Sequence, residues 1–334
     1  MKKFFAVAAS LILSAAMLTA CGSSAAPAAT TGAPETTAAA VTQAPETTEE
    51  TKSFNIAIVQ QLDHASLDEI RLAVEDELTK AAADKGFQVS YKEFNGQNDN
   101  TVLNQIGAQV VSDKYDAIIP IASLAAQCMV TAADGTNTPI IYAAVSDPAT
   151  AGLTDIPNVT GTSDALNTAF ILDMMLAAQP DVKTVGLLYS NSEANSQTPI
   201  AQAKEYLEQK GIAYIEKTGN STDEILTAAS SLVGRVEAVF TPTDNVVMAC
   251  EGAVAEILNQ AGIAHYTGAD SFVAAGAFTT SGVNYTELGT YTADMAVDIL
   301  LGGAVPEYHV MDGGIITVNT DTAEALGIDY SVFK

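Results

Sequence analysis

From residue 54 onward, short apolar runs alternate with longer stretches in which apolar residues recur every three or four positions. The run at 54–59 has the near-continuous hydrophobicity of a strand buried on both faces. Residues 67–85 then set Ile70, Val74, Leu78 and Ala82 on one helical face, and Gly86 supplies a residue able to close the helix. Residues 89–94 alternate as a strand, and 101–114 turn Leu103, Ile106, Val110 and Val111 to one side. A strand at 117–121, a helix at 125–133 and a strand at 140–143 complete a first unit. After Gly161 the beat restarts with helix 167–178, strand 184–189, helix 198–210, strand 212–215, helix 222–232 and strand 238–240. Helix 246–261, strands at 265–267 and 277–280, and a long helix at 285–301 follow. Alternation with short links predicts an α/β chain with doubly wound parallel sheets. Two successive units of like design predict two lobes facing each other across a cleft.

Ligands of open α/β sheets bind beyond the carboxyl ends of the strands. The candidate contacts are therefore the residues just after each apolar run. Gln60 and His64 follow the first run, Ser123, Leu124 and Ala125 follow 117–121, and Ser146 and Asp147 follow Val145. In the second unit Glu193, Asn195 and Ser196 come after 184–189. Thr243, Asp244 and Asn245 come after 238–240, and Asp270 and Ser271 after 265–267. Such residues are also ordinary helix N-caps, and at any single position both readings stand. The two roles are compatible, because a helix start with a free hydroxyl and free N–H groups is itself a carboxylate site. Ser123 and Ser146 are assigned to an anionic end of the ligand and Asp244 to an ammonium. On that assignment Asp244→Asn keeps the cap, changes stability little and weakens binding.

The first residues change the picture of where the chain works. Lys2 and Lys3 precede an apolar stretch running to Ala20, short for a membrane span, and Leu18-Thr19-Ala20-Cys21 has the pattern of a bacterial lipobox. Residues 1–20 are thus expected to be a signal peptide, with Cys21 carrying the lipid as the new N-terminus. Residues 21–52, rich in Ser, Ala, Pro, Thr and Glu, are expected to be a disordered tether. The chain has 14 Lys and Arg against 40 Asp and Glu, and loss of Lys2 and Lys3 takes the net charge from −26 to −28. That charge excludes nucleic acid as a partner and argues against lying flat on anionic lipid. With Cys21 spent on lipid, Cys128 and Cys250 are expected in different lobes as buried free thiols.

Several segments together resemble the ABC transporter substrate-binding family of the type I periplasmic-binding-protein fold, which includes tryptophan- and tyrosine-type receptors. They are 58–60 with His64, 121–127, 144–148, 158–164, 188–196, 242–245, and 282–285 with Leu288 and Gly289. The resemblance covers residue 54 to the C-terminus. It implies two lobes joined by three crossovers, near Thr162, near Gly282 and after Gly303, and a hinge that closes on ligand. The lobes are then 53–162 with about 284–304, and 163–283 with about 305–334. The resemblance adds Asn284 and Tyr285 to the candidate contacts. It implies a monomer held outside the cell membrane, or in a periplasm, by lipid on Cys21. It also implies an ABC permease and a separate ATPase as partners; the chain has no P-loop of its own.

The expected ligand is a small solute, an amino acid with an aromatic or branched side chain. A sugar or a nucleoside stays open, although the chain has no tryptophan on which a sugar ring would stack. A ligand-sensing role for a signalling receptor also stays open. An enzyme is not expected: there is no nucleophile elbow and no dinucleotide fingerprint. His64, His265 and His309 are too scattered in sequence for a recognisable metal motif, and no cofactor is expected.

Overall fold

The structure is a computed structural model, and it describes residues 51–333. The expected signal peptide, Cys21 and the tether through residue 50 lie outside the described residues. Thr51 and Lys52 are exposed and have no regular structure.

The first unit runs β1 (Ser53–Gln60), α1 (Ala65–Lys85), β2 (Gln88–Asn95), α2 (Asn100–Asp113), β3 (Ala117–Ile121), α3 (Ser123–Ala132), β4 (Ile140–Tyr142) and β5 (Val159–Ser163). The second runs α4 (Thr168–Ala178), β6 (Thr184–Tyr189), α5 (Ala194–Lys210), β7 (Ala213–Thr218), α6 (Thr222–Leu232), β8 (Ala238–Thr241), α7 (Asn245–Met248), α8 (Glu251–Gln260), β9 (Ala264–Thr267), α9 (Asp270–Ala274) and β10 (Thr279–Gly282). The chain ends with α10 (Tyr285–Leu300), β11 (His309–Val310), β12 (Ile315–Val318), α11 (Thr320–Leu326) and a 3₁₀ turn at Ser331–Phe333.

These strands make two six-stranded sheets, ordered β11-β5-β4-β3-β1-β2 and β12-β10-β9-β8-β6-β7. All pairings are parallel except β10 with β12. The periodicity-based strands are buried for the reason anticipated: Ile56, Ala57, Ile58 and Val59 of β1 have no exposed surface, with helices on both faces. Gly86 closes α1 at φ 73°, and Asp99 caps α2 by accepting from the N–H groups of Thr101 and Val102.

The chain passes between the sheets three times: from β5 to α4, from β10 to α10, and from β11 to β12. Helix α10 packs back on α1 over the first sheet. The third passage falls later than the expected boundary at 304–305. Residues 309–310 hydrogen-bond to β5 in the first sheet, so the return runs through 311–314, which includes Gly313 and Gly314.

Other boundaries also differ. Helix α5 begins at Ala194 rather than 198, with Pro199 inside its second turn. The expected helix 246–261 is interrupted at Ala249–Cys250 and makes two helices. The expected strand 277–280 is displaced to 279–282, because α9 and the turn at Gly276 occupy the residues before it. Strand β5 escapes periodicity because all five residues are buried, yet two are threonines, one is a serine and one is glycine. Its Gly161 is obligatory: at φ 157°, a Cβ there would lie 2.0 Å from the Tyr142 carbonyl oxygen and 2.4 Å from the Tyr142 ring.

Candidate functional site

The carboxyl ends of both sheets converge on one cavity of about 340 Å³, including its mouth. Its enclosed free space is only about 20 Å³, room for a water molecule and far below the range of about 300–1,000 Å³ of small-molecule sites, so the cleft is shut and must part to admit a solute. Of the expected contacts, His64, Ser146, Asn195, Thr243, Asp244, Asn245 and Tyr285 line it. The segments after β1, β4, β6 and β8 and the start of α10 deliver them, as the rule for strand ends requires.

The cavity is shut by side chains that meet across it. Asn245 Oδ1 lies 3.0 Å from His64 Nε2, Ser146 Oγ lies 3.1 Å from Thr243 Oγ1, and Ser66 Oγ lies 2.5 Å from Ser271 Oγ. Gln61 Nε2 donates across the cleft to Glu193 Oε1 at 2.7 Å, while its Oε1 accepts from the Leu124 N–H at 3.1 Å. At the rim Thr198 Oγ1 donates to Asp147 Oδ2 at 2.6 Å.

Two carboxylates line the cavity, and no lysine or arginine does. Asp244 has no exposed surface and is fully engaged by its own lobe. Its Oδ2 accepts from the Ser190 N–H and Ser196 Oγ, both at 2.7 Å, and its Oδ1 accepts from the Val247 N–H at 3.0 Å. It is therefore the N-cap of α7 as well as a cavity wall, and Ser196 serves as its support. Asp164 had not been among the expected contacts. It is buried at the first crossing and held by hydroxyls: Ser146 Oγ donates to Oδ1 at 2.8 Å and Tyr285 Oη to Oδ2 at 3.2 Å. Burial pushes both carboxyls above their ordinary range, against the pull of these hydrogen bonds. Burial likewise pushes the His64 imidazolium down, opposed by its bond to Asn245 and by Asp68 and Asp63.

Apart from Ser66, the rest of the lining is apolar: Leu67, Ala122, Ala144, Met248, Ala269 and Phe272. Sequence reasoning missed these because in a linear pattern they are indistinguishable from core. Among the buried polar atoms without a partner are His64 Nδ1 and Asn195 Oδ1, whose residues line the cavity, and the Ser123 hydroxyl at the start of α3, which is not in the lining but follows the lining residue Ala122. Such groups cost about 1–3 kcal/mol each when left unmade, and a polar ligand in the cavity would give the first two a partner.

The remaining expected residues stand elsewhere. Gln60 turns away and braces its own loop, donating to the Leu62 carbonyl and to Asp68. Ala125 is in the core. Asp147 also accepts from the Thr150 N–H, so it serves the rim and not the cavity wall. Glu193 sits behind Asn245, whose Nδ2 donates to its Oε2 at 2.6 Å. Asp270, half-buried, opens α9, and Asn284 caps α10 by accepting from the Glu287 N–H.

Residues 55–332 match the family described as ABC transporter substrate binding protein. The chain belongs to this family. A tyrosine-binding protein of Clostridioides difficile (strain R20291) is 32% identical over 290 residues, 84% of this chain and 82% of that one. A complex with L-Trp from Streptococcus pneumonia is 29% identical, with a TM-score of 0.78 over 84% of this chain and 96% of that chain. A ligand-free, open substrate binding protein with adhesive properties from Clostridium difficile is 33% identical. It superposes less closely, with a TM-score of 0.62 over 83% and 95%. The structure with higher identity is thus the poorer superposition, as expected when the cleft here is bridged by hydrogen bonds and the other is open.

The family is one of solute carriage, not catalysis. One buried arrangement shows why geometry alone does not make an enzyme. Thr241 Oγ1, His265 and Glu251 form a hydrogen-bonded line, 2.7 Å and 2.9 Å per link, in the order of a nucleophile, base and orienting acid. All three are sealed in the second lobe, at most 1% exposed, so no substrate reaches the threonine. Cys128 and Cys250 are free and buried. No described helix is long and apolar enough to cross a membrane.

Proposed function

We propose that this chain captures a free amino acid with an aromatic side chain outside the cell and delivers it to an ABC permease driven by a separate ATPase. The observation that carries this reading is the charge inventory of the cavity. A buried acid, Asp164, is held by two neutral hydroxyls and its own backbone N–H, and faces a space lined by no lysine or arginine. A ligand ammonium supplies the missing charge, and the orphan Asn195 Oδ1 gives it a second acceptor. The ligand carboxylate goes to the Ser123 hydroxyl and the positive end of α3. Leu67, Met248 and Phe272 receive the side chain. This assignment moves the ammonium from Asp244, whose oxygens are taken by its cap, to Asp164. The names of the tyrosine-binding relative and the tryptophan complex support the same ligand class.

The proposal includes the rest of the arrangement: cleavage after Ala20, lipid on Cys21, a tether to about residue 52, and a monomeric domain whose lobes meet at the three crossings. A thermal-shift screen over amino acids, sugars and nucleosides tests it. Tyrosine or tryptophan should raise stability by about 2.7 kcal/mol at a hundredfold excess over Kd, and Asp164→Asn should weaken binding about ten- to a hundredfold. Stabilisation by sugars or nucleosides alone would overturn it.

A further inference from the structure

Glu193 is not needed to explain ligand contact, yet two of the links across the shut cleft run through it. Its Oε1 receives Gln61 Nε2 from the first lobe, and its Oε2 receives Asn245 Nδ2, whose Oδ1 in turn meets His64 Nε2 of the first lobe. It is 3% exposed, and its hydrogen-bonding neighbours are neutral amides. No ion pair reaches either Glu193 or Asp244 among the described residues. Asp244 is fixed as the anion of the two, because two backbone N–H groups and a hydroxyl all donate to it. Two adjacent buried carboxyls cannot both stay ionised at low cost, so the one whose donors are side-chain amides able to turn, from Gln61, Asn245 and Asn195, takes a proton rather than the one fixed by backbone N–H groups.

We propose that closure of the cleft on its ligand captures a proton on Glu193, so that the amino acid is bound together with that proton. The inference rests on the proposed closure around a ligand. The proton is accommodated by turning the Asn245 amide: the Glu193 hydroxyl then donates to Asn245 Oδ1, and Asn245 Nδ2 donates to the lone pair of His64 Nε2. The neutral imidazole changes tautomer as the amide turns, losing the Nε2 proton to water and gaining one from water at Nδ1, while water supplies the net proton that forms the Glu193 O–H bond. Burial, with the Asp244 charge beside it, pushes the Glu193 carboxyl up to about 7 in the shut cleft. In an open, hydrated cleft it returns toward the ordinary value of 4.5. The closed form therefore binds more protons. Affinity is highest below the open-state value, falls as pH rises through 7, and levels off above it. The charged and titratable groups acting on this network are Asp244 at the cap of α7, His64 before α1, Asp68 in α1 and Asp63 in the loop before it; Asp164, from the first crossing, lines the same cavity. His64 opposes the effect, since its burial releases a proton on closure below its ordinary range.

Calorimetry with L-tyrosine and L-tryptophan at pH 7.0, in buffers of differing ionisation enthalpy, reads the proton directly. In a His64→Gln background, uptake should be about half a proton per ligand, and affinity should fall about tenfold between pH 6 and 8. Glu193→Gln, which offers one donor and one acceptor as the protonated acid does, should abolish both and stay tight at pH 8. A second readout needs no ligand. Ser66→Cys with Ser271→Cys places two thiols where hydroxyls now touch, locking the cleft by a disulfide. Carboxyl NMR of the locked protein should show Glu193 titrating near neutrality, and reduction of the disulfide should return it to the ordinary range. An ordinary titration in the locked form, or no proton uptake with a bound amino acid, would overturn the inference. Failure of both amino acids to bind, with the locked titration near 7, would instead overturn the ligand assignment alone.

Discussion

Replacing Asp244 by asparagine separates a cap from a ligand contact, and the geometry now sets the expected result. An amide has one acceptor oxygen where the carboxylate has two. If it faces Ser190 and Ser196, the –NH2 group meets the Val247 N–H; if it faces Val247, the –NH2 group meets the Ser190 N–H. Either way one fully buried backbone donor is left opposite another donor. An unmade buried bond costs about 1–3 kcal/mol, and relief from burying a charge keeps the total within that range. For a folded region of this size the loss is a fall in Tm of about 2–5 °C. Sequence reasoning gave the opposite expectation, nearly unchanged stability, because it treated the residue as a simple cap with one acceptor in use. Urea unfolding and thermal melting of the ligand-free protein at pH 7 measure the difference. An unchanged melt with weakened ligand binding would refute the reasoning and return the ammonium to Asp244.

Gly161→Ala drives a methyl into the Tyr142 carbonyl and ring, so it should destabilise by at least about 1–3 kcal/mol and lower soluble yield; a normal melt would contradict the β4–β5 contact. Thr198→Val removes the rim bond to Asp147 and should raise Kd roughly two- to tenfold by faster ligand release, with the ligand-free melt unchanged, as stopped-flow and calorimetry would show. Cys21→Ala should abolish fatty-acid labelling and membrane retention in cells, while a chain beginning at Ser53 should bind ligand as the mature protein does; loss of binding in that shortened chain would refute the tether.

Most of the fold was legible because its strands are apolar runs and its helices are amphipathic, and both patterns follow from which faces are covered. Strand β5 was not, since its sequence of Val159, Thr160, Gly161, Thr162 and Ser163 has neither an alternating pattern nor a continuous apolar run, although each residue is buried by the crossing. Missing that strand also hid Asp164, which stands at its carboxyl end like every other candidate. The break between α7 and α8 carries no glycine or proline to announce it. Gln60 and Gln61 illustrate the limit of a pattern with period two: the loop region was right, but only the pleat decides which amide faces the cleft, and it is Gln61. Two-residue β11 is set by its pairing with β5 rather than by its own residues.

The two native thiols give this molecule a pair of internal clocks. Cys128 lies in α3 against the first sheet and Cys250 between α7 and α8 of the second, and each is less than a tenth exposed. Burial pushes the Cys128 thiol up, and burial together with Glu251 and Asp244 pushes that of Cys250 up to about 12, so neither reacts while its surroundings stay packed. A hinge motion carries each lobe as a body and leaves both thiols covered. An alkylating pulse followed by peptide mass spectrometry would therefore be blind to opening and closing of the cleft, and would time the local unfolding of each half separately.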